Sequence, residues 1–383
     1  MSAPLRFFLI AGEPSGDALG AGLMAGLKER CGGDIVFEGV GGPLMAKEGL
    51  TSLFPMTDLS VMGLAEVLPR LPLLMRRLSR TIREIKTIRP DAVVTIDSPD
   101  FCFRVAKALK GRNIPLIHYV APSVWAWRPG RARKIAGFLN HLLALLPFEP
   151  PYFERVGLAC SFVGHPVIES GADKGDGKAF RAHHGIAENA PLICVLPGSR
   201  EGEINRLAAV FGETLRILAR RRPALRCVVP SLPSSKEVVT AAVRGWPGSV
   251  LVVQGEEEKY DAFAAADVAL AASGTVTLEL AMAETPTVVA YRLNPLTAWL
   301  AKRLVRVRFV RLVNIVLDRG VVPELLLEKC RADLLAEELS HLLEDEAARR
   351  EQKSGAALAL AELGRGGRPP SLRAADAVLG VIG

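Results

Sequence analysis

Aromatic residues are scarce in this 383-residue sequence, and it contains no long apolar segment. Only 6% of its residues are Phe, Trp or Tyr, which leaves little material for stacking the bases of a single-stranded nucleic acid. No stretch reaches the ~20 apolar residues that a membrane-spanning helix needs. The apolar run from Met1 to Leu9 is too short for a signal peptide, and acidic residues follow it closely. We therefore expect neither a spanning helix nor a signal peptide.

The six cysteines lack the spacing of a metal site. None belongs to a Cys-x-x-Cys pair, and none has a histidine at metal-ligand spacing. Several, such as Cys194 and Cys227, lie inside apolar runs. This pattern is typical of buried, reduced thiols. We expect no metal site and no other cofactor.

Positive charge is concentrated in two segments of an otherwise slightly acidic chain. The net charge is +7, although the mean hydropathy is positive at +0.24. Residues 62–90 and 296–311 each carry a net charge of +5, so the remaining residues carry −3. Both segments are also rich in apolar side chains. This combination favours contact with an anionic membrane surface over contact with a nucleic-acid duplex.

The first basic segment has the periodicity of an interfacial helix. From Leu71, apolar residues recur at i, i+3, i+4 and i+7, while most arginines fall on other faces. Pro69 and Pro72 favour a hairpin over one continuous helix. The alternative is an ordinary surface helix whose apolar stripe packs on a sheet. The candidate membrane-contact residues in the two segments are Leu71, Leu74, Met75, Arg76, Arg77, Arg80, Trp299 and Arg303.

The chain twice begins the same pattern of strand, Gly/Ser loop and helix. The apolar run Arg6–Ala11 leads into a loop and a helical stretch from Ala18, and Leu192–Leu196 leads into a loop and a helix from Ile204. More strand–helix units follow each start. Alternating strands and helices predict parallel sheets with right-handed crossovers. We therefore predict an α/β protein of two Rossmann-like lobes that face a cleft. The carboxyl ends of the strands in both lobes are expected to lie at this cleft.

The lobe boundaries are predicted from changes in composition. We expect an N-terminal lobe of residues 1–168 and a C-terminal lobe of residues 169–345. The polar, Gly-rich stretch 169–189 is the predicted linker. Residues 346–383 are expected to form a helical tail that packs on the N-terminal lobe.

The second strand–loop–helix start carries a candidate phosphate site. Ser199 and Arg200 lie between the predicted strand and helix. Backbone N–H groups at a helix N-terminus favour a phosphate, and an adjacent arginine can bind it through two hydrogen bonds. The alternative is a plain turn with a surface arginine.

A second loop of this kind contains Ser273, Gly274 and Thr275. Its glycine permits close approach of a ligand to the backbone. Glu279 follows Thr275 by one helical turn and on the same face, where a carboxylate can accept ribose hydroxyls. The alternative is a helix cap followed by a solvated glutamate.

Acidic residues follow a strand of the first half. Asp97 ends the predicted strand Ala92–Ile96, and Asp100 follows three residues later. A carboxylate at a strand end is placed to act as a general base. The alternative is that Asp97 or Asp100 caps the next helix.

Two further loops supply candidate residues. Glu13 and Ser15 lie on the first loop with Asp17, and one of the three is expected to cap the helix that begins near Ala18. Trp125 lies in an aromatic run after another strand, where it can line an acyl or sugar pocket. The alternative for Trp125 is a buried aromatic corner.

Several of these strings together resemble the lipid-A-disaccharide synthase family. The matching strings are residues 11–17, 39–43, 96–101, 118–127, 196–200 and 272–275, together with Glu279. The resemblance implies a GT-B glycosyltransferase that joins UDP-2,3-diacylglucosamine to 2,3-diacylglucosamine 1-phosphate. The implied products are a β-1,6-linked disaccharide phosphate and UDP. It also implies a peripheral enzyme on the cytoplasmic face of a Gram-negative inner membrane.

The resemblance and the loops together suggest roles for individual residues in a one-step inverting reaction. Asp97 is the expected base for the acceptor 6-hydroxyl, with Asp100 as the open alternative. Arg200 and the two Gly/Ser loops are expected to stabilise the leaving diphosphate, Glu279 to bind ribose, and Asn314 to bind sugar or phosphate. No Asp-x-Asp motif accompanies these loops, so we expect the reaction to be independent of metal ions.

Two other functions remain open at this stage. One is a UDP-GlcNAc 2-epimerase on the same architecture, which would leave the basic apolar segments unexplained. The other is a non-enzymatic membrane or nucleic-acid binder, which the basic charge alone suggests. We expect acylated sugar substrates and an anionic membrane surface as partners, and no nucleic acid. A homodimer with exchanged C-terminal segments is also left open.

Overall fold

The computed structural model describes residues 4–32, 35–60, 64–127, 130–293 and 308–383. The chain divides into two units. Unit 1 comprises Met1–Pro166 and Gly366–Gly383, and unit 2 comprises Val167–Arg365.

Unit 1 is built on a seven-stranded parallel sheet. Its strands are β1 (Leu5–Ala11), β2 (Ile35–Val40), β3 (Thr51–Ser52), β4 (Ala92–Ile96), β5 (Leu116–Tyr119), β6 (His141–Ala144) and β7 (Ala159–Phe162). Its first helices are α1 (Pro14–Cys31), α2 (Pro43–Lys47), α3 (Leu64–Ile88), α4 (Pro99–Leu109), α5 (Gly130–Ala136) and α6 (Pro150–Glu154). The spatial order of the strands is β3-β2-β1-β4-β5-β6-β7. Strands β2 and β3 lie on one side of β1, and β4 to β7 follow on its other side, so the strand order reverses between β1 and β4.

Burial explains why the central strands read as continuous apolar runs. Phe7 to Ala11 in β1 and all five residues of β4 are buried, because core clusters cover both faces of this sheet. Parallel sheets are normally covered on both faces in this way. The strand order also fixes where a ligand site is expected, since loops diverge at the point where the strand order reverses. In unit 1 that point lies beside the loops after β1 and β4.

Helix α1 begins at Pro14, four residues earlier than the sequence predicts. Asp17 therefore lies inside its first turn, where it is buried. The Asp17 carboxylate accepts hydrogen bonds from the backbone N–H groups of Gly42, Leu44 and Met45, at 2.8–3.0 Å. Asp17 thus stabilises the N-terminus of α2, and not the start of its own helix.

Helix α3 corrects the expectation of a hairpin in the first basic segment. It runs without interruption over 25 residues and contains both Pro69 and Pro72. Each proline removes one backbone hydrogen bond. Further along the helix, Leu78 packs against the core and Ile85 is completely buried. Tertiary packing of this apolar face supports the helix despite the prolines.

Unit 2 is built on a six-stranded parallel sheet of order β10-β9-β8-β11-β12-β13. Its strands are β8 (Leu192–Leu196), β9 (Arg226–Ser231), β10 (Val250–Gln254), β11 (Val268–Ala272), β12 (Thr287–Tyr291) and β13 (Glu324–Leu326). Its helices are α7 (Gly177–His183), α8 (Glu201–Arg221), α9 (Lys236–Val243), α10 (Glu256–Ala265), α11 (Val276–Met282), α12 (Leu312–Leu317), α13 (Ala332–Glu344) and α14 (Glu346–Glu362). Here the strand order reverses between β8 and β11.

The stretch predicted as a linker is a folded part of unit 2. Arg181 of α7 is buried and donates hydrogen bonds to the carbonyl groups of Ala265, Ala187 and Ala190, at 2.7–3.1 Å. It also forms an ion pair with Asp267 at 3.1 Å. These contacts attach the segment to α10 and to the start of β11.

The predicted tail is divided between the two units. Helix α14 belongs to unit 2, where the Gln352 amide pairs with the backbone of Thr287 in β12. The final helix, α15 (Pro370–Ile382), belongs to unit 1. It packs on α1 through the Arg30–Asp376 ion pair at 2.6 Å, and Arg373 donates to the Phe162 carbonyl at 2.7 Å. The expectation that all of 346–383 packs on the N-terminal lobe is therefore wrong for α14.

The two parallel-sheet units confirm the predicted fold class. No helix in the described part of the chain is both long enough and apolar enough to cross a membrane. Five of the six cysteines are buried, and all six are free thiols. Burial raises the pKa of the Cys160 thiol to about 12, which keeps it protonated and unreactive at neutral pH.

Candidate functional site

A cavity of about 630 Å³ lies at the carboxyl ends of the unit 2 strands. Its walls come from the loops after β8, β9, β10 and β11, together with the first turns of α8, α10 and α11. The volume is in the range of small-molecule sites. The cavity surrounds the point where the strand order reverses, which is where doubly wound sheets bind ligands.

The loop after β8 approaches the cavity with a glycine that no other residue can replace without strain. Gly198 has a φ of +123°, and a Cβ atom there would lie 2.3 Å from Oε2 of Glu203. The Glu203 carboxylate accepts a hydrogen bond from the Ser199 backbone N–H at 3.3 Å. Ser199 and Arg200 are exposed at the start of α8, where the helix dipole favours a negative charge. In this structure the first turn of α8 carries two acidic residues, Glu201 and Glu203.

The loop after β11 forms another wall of the cavity. Ser273, Gly274 and Thr275 lead into α11, and the Thr277 hydroxyl donates to the Gly274 carbonyl at 2.6 Å. That hydrogen bond holds the loop against the first turn of the helix. Glu279 follows on the same helix and also lines the cavity.

Six of the predicted donor-site residues therefore line one cavity, and the structure adds two that the sequence reasoning missed. The six are Ser199, Arg200, Ser273, Gly274, Thr275 and Glu279. The additions are Glu203 and Lys259. Glu203 was recognisable from its position one helical turn after Ser199. Lys259 had no such signal, because it meets Glu279 only in the folded chain.

Asn314, by contrast, is a structural residue. It is 1% exposed and is not among the residues that line the cavity. Its amide nitrogen donates to the Val322 carbonyl and to Glu324, and its amide oxygen accepts from the N–H groups of Val321 and Val322, all at 2.8–2.9 Å. These four bonds use the full hydrogen-bonding capacity of the amide. The expectation that Asn314 binds sugar or phosphate is corrected accordingly.

The charges in the cavity are nearly balanced. Among the described residues that line it, Arg200 and Lys259 are cationic, and Glu203, Glu256 and Glu279 are acidic. Burial raises the pKa of Glu203, against the opposing effects of the Ser199 N–H group and the nearby arginines. The side chains that line the cavity therefore give it no excess of positive charge.

In unit 1, strained residues mark the point where the strand order reverses. Asp97 and Ser98 follow β4 and have φ values of +50° and +42°, a conformation that non-glycine residues seldom adopt. The loop after β1 approaches so closely that a Cβ atom on Gly12 would lie 2.4 Å from Ser98 Oγ. Buried Ser98 Oγ has no hydrogen-bond partner among the described residues. Strain of this kind is typical of functional sites.

The other acidic and first-loop candidates differ in exposure. Asp97 is half-buried beside the loop after β1, whereas Asp100 is exposed in the first turn of α4. Ser98, and neither aspartate, occupies the cap position of α4. Glu13 is half-buried at the start of α1, and Ser15 is exposed in its first turn.

Trp125 is tied to a buried carboxyl group at the same edge of the unit 1 sheet. Its indole N–H donates to Glu149 Oε1 at 3.1 Å, and its ring packs edge-on against Phe148, with the centroids 5.2 Å apart. Glu149 also accepts from the Leu146 N–H at 3.1 Å. Burial raises the pKa of Glu149 to about 7, although these hydrogen bonds oppose the shift.

Helix α3 separates the predicted membrane-contact residues into two groups. Leu71 and Met75 are 43% and 46% exposed, and Arg76 and Arg80 are also exposed. Leu74 packs against the core of unit 1. Arg77 forms an ion pair with Asp58 at 2.8 Å. Leu74 and Arg77 thus contact the protein itself, which corrects their assignment to a membrane-facing surface.

The second basic segment lies largely beyond the described residues. Trp299 and Arg303 fall within 294–307, outside the part of the chain that the structure describes. Their assignment to a membrane-contact surface stays a prediction.

Comparison with known proteins identifies the family. The profile of the family described as "Lipid-A-disaccharide synthetase" matches residues 7–368. The lipid-A-disaccharide synthase of Rhodospirillum centenum is 59% identical over 381 residues, covering 99% of this chain and 95% of the relative. That of Paramagnetospirillum magneticum is 56% identical over 382 residues, covering 99% and 98%.

Solved structures agree with this assignment at the level of the fold. A UDP-GlcNAc 2-epimerase from Neisseria meningitidis, in a structure bound to UDP-GlcNAc, has a TM-score of 0.64 at 13% identity, covering 99% of both chains. MurG from Acinetobacter baumannii has a TM-score of 0.58 at 15% identity, also covering 99% of both chains. At such low identity these similarities describe architecture alone. The profile match and the close relatives show that the chain belongs to the lipid-A-disaccharide synthase family, whose members are glycosyltransferases.

Proposed function

We propose that this enzyme transfers 2,3-diacylglucosamine from UDP to the 6-hydroxyl of 2,3-diacylglucosamine 1-phosphate, with inversion at the anomeric carbon. The products are a β-1,6-linked disaccharide 1-phosphate and UDP. Family membership supports the formation of the lipid A disaccharide from a sugar nucleotide and a lipid acceptor. The identities of the two acylated substrates and the inversion go beyond family membership and belong to the proposal.

The observation that carries the proposal is the unit 2 cavity of about 630 Å³. It joins the N-termini of two helices, the Arg200 guanidinium and the Glu279 carboxylate. In the proposal, the diphosphate binds Arg200 and the N–H groups of the loops at Ser199 and Ser273. Glu279 accepts hydrogen bonds from the ribose hydroxyls. When the glycosidic bond breaks, the same donors stabilise the charge that develops on the UDP leaving group.

The acceptor is assigned to unit 1, with Asp97 as the general base. Asp97 is held beside the loop after β1 in a strained, half-buried position, whereas Asp100 is exposed. Asp97 takes the proton of the acceptor 6-hydroxyl as the oxygen attacks the anomeric carbon. Glu13, Ser15 and Trp125 belong to neighbouring loops and are the candidates for contact with the acceptor.

A substitution pair tests the assignment of the base. Asp97→Asn should lower kcat by about 10³-fold, within the range expected for loss of a general base, while UDP affinity by calorimetry stays within about twofold of wild type. Asp100→Asn is the matched control and should retain most activity. If the Asp100 variant loses activity and the Asp97 variant keeps it, Asp100 is the base. A parallel loss of UDP binding in Asp97→Asn would contradict an acceptor-side role.

An assay with the two acylated glucosamine substrates tests the reaction itself. NMR of the product should give the β-1,6 linkage, and excess EDTA should leave the rate unchanged. Loss of activity with EDTA, restored by a divalent cation, would contradict the metal-independent mechanism. Turnover of UDP-GlcNAc without any acceptor would instead indicate an epimerase.

Membrane association is proposed for the exposed face of α3, from the cytoplasmic side of the inner membrane. Leu71, Met75, Arg76 and Arg80 combine apolar and cationic groups on this helix. Each cation near an anionic surface contributes about 1 kcal/mol. Arg76→Glu with Arg80→Glu should therefore lower binding to phosphatidylglycerol vesicles by about tenfold or more in sedimentation. The control variant replaces two exposed arginines of α8, Arg220 and Arg221, by glutamate. If both double variants lose vesicle binding equally, the assignment of the membrane-contact face to α3 is refuted.

A further inference from the structure

Lys259 and Glu279 form an ion pair inside the unit 2 cavity. The Lys259 Nζ lies 3.3 Å from Glu279 Oε1 and 3.1 Å from Oε2, so the ammonium group contacts both carboxylate oxygens. Each side chain is 19% exposed, which protects the pair from much of the solvent screening that weakens surface ion pairs. Because the partners lie on α10 and α11, the pair connects the helix after β10 to the helix after β11.

A second contact fixes the position of the Lys259 ammonium group. Its Nζ lies 4.4 Å from the centroid of the Tyr260 ring, within cation–π distance. Tyr260 is itself buried, and its ring packs against Phe263 with the centroids 6.1 Å apart. The ammonium group is thus held between an aromatic ring anchored in the core and the Glu279 carboxylate.

The pair matches the hydrogen-bonding chemistry of a vicinal diol. Each hydroxyl of a diol can donate one hydrogen bond and accept others. An ionised carboxylate only accepts hydrogen bonds, and an ammonium group only donates them. A carboxylate and an ammonium group side by side can therefore satisfy both capacities of two adjacent hydroxyls.

We propose that Lys259 is a positioning residue that orients the Glu279 carboxylate toward the ribose 2′- and 3′-hydroxyls, and so makes the site selective for ribonucleotides. This inference rests on the proposed function, in which the cavity binds UDP. It differs from a role as counter-charge to the diphosphate, because a counter-charge would serve ribonucleotides and deoxyribonucleotides equally.

Calorimetric titrations with UDP and with 2′-deoxy-UDP test the inference. Wild type should bind UDP about tenfold more tightly than 2′-deoxy-UDP, because 2′-deoxy-UDP lacks one hydrogen bond to a charged group. Lys259→Met keeps most of the length of the side chain and removes its ammonium group, so it should reduce the preference for UDP over 2′-deoxy-UDP to about twofold or less. Lys259→Arg should restore most of it. Lys178→Met removes an exposed lysine of α7 and is the matched control.

The same variants give a kinetic readout that a purely structural role would not move. Lys259→Met should raise KM for the sugar nucleotide by about tenfold with little change in kcat, while its melting curve shows that the variant is folded. If Lys259→Met prefers UDP over 2′-deoxy-UDP as strongly as wild type does, the role of Lys259 is overturned. This holds whether both nucleotides bind equally more weakly or neither binding constant changes. A wild type that binds UDP without preferring it over 2′-deoxy-UDP would do the same. A wild type that binds neither nucleotide would instead overturn the proposed function.

Discussion

Removing the buried carboxyl group of Glu149 should change how the stability of the protein depends on pH. Glu149 is 3% exposed, and burial raises its pKa from 4.5 to about 7. A carboxyl group whose pKa is raised by folding is favoured in its protonated form by the folded state. Its ionisation therefore destabilises the fold progressively as the pH rises from 4.5 to about 7, and by a constant amount above that.

The magnitude follows from the pKa values of Glu149 in the unfolded and folded chain. A difference of one in pKa between the two states corresponds to about 1.4 kcal/mol, so the full cost above pH 7 is about 3 kcal/mol. Most of this cost, about 2 kcal/mol or somewhat more, develops between pH 5 and pH 8. Glu149→Gln keeps an oxygen that can accept the Trp125 N–H, and its amide does not ionise. The free energy of unfolding of wild type minus that of the variant should therefore fall by about 2 kcal/mol or somewhat more between pH 5 and pH 8.

Urea unfolding at pH 5, 6, 7 and 8, followed by tryptophan emission, measures this difference. Burial lowers the pKa of His118 to about 3 and that of His165 to about 4, so both histidines destabilise the fold below pH 6.5. Their contribution is common to wild type and variant and cancels in the subtraction. Glu154→Gln removes an exposed carboxylate of α6 and should change the difference by less than about 0.5 kcal/mol. If the stability difference between wild type and Glu149→Gln also changes by less than about 0.5 kcal/mol from pH 5 to pH 8, the reasoning is refuted.

Three further predictions concern contacts in the two units. Glu203→Gln removes the carboxylate beside the Ser199 N–H, so the affinity for UDP should rise about fivefold by calorimetry; weaker binding would show that Glu203 supports the loop instead. Arg181→Met leaves several carbonyl groups without their donor, and urea unfolding should show a loss of about 3 kcal/mol; a loss below about 1 kcal/mol would contradict its role as an anchor. Gly26→Ala places a Cβ atom 2.7 Å from a carbonyl oxygen of α15, which forces α15 away from α1, so hydrogen exchange of the α15 amides should become faster. In Gly22→Ala the nearest atom of α15 lies at 3.6 Å, so this control should leave the exchange rates unchanged.

The central strands and the position of most donor-site residues were predictable from the sequence because they depend on local patterns. A strand buried on both faces, such as β1, is recognisable as a continuous apolar run. The alternation of strands and helices then fixes the direction of each strand. Because loops such as 197–200 and 273–275 follow parallel strands, their convergence on one edge of the sheet follows from topology alone. Glu279 follows from helical periodicity one turn later.

The errors concern residues whose partners are distant in the sequence. The sequence does not decide which of Glu13, Ser15 and Asp17 caps α1. Glu13 occupies the cap position, whereas the Asp17 carboxylate binds backbone N–H groups 25 and more residues away. Asn314 resembles a polar site residue, but its amide forms its hydrogen bonds with the backbone of Val322 and with the Glu324 carboxylate. Lys259 and Glu279 are 20 residues apart, and no periodicity predicts their contact. In each case the partner is chosen by tertiary packing, which local patterns do not contain.

The distribution of charge differs between the unit 2 cavity and the exposed face of α3. If the net charge of +7 served the diphosphate, the cations would be concentrated in the cavity. Yet the described residues that line it include two cations, Arg200 and Lys259, against three carboxylates, and one of those cations is paired with Glu279. In the proposed function, binding of the diphosphate there would therefore depend mainly on Arg200 and on the backbone N–H groups of two helix N-termini, which act at short range. The excess positive charge belongs to the basic segments instead, where exposed arginines of α3 are placed beside exposed apolar side chains, a combination suited to an anionic lipid surface and not to a nucleotide pocket.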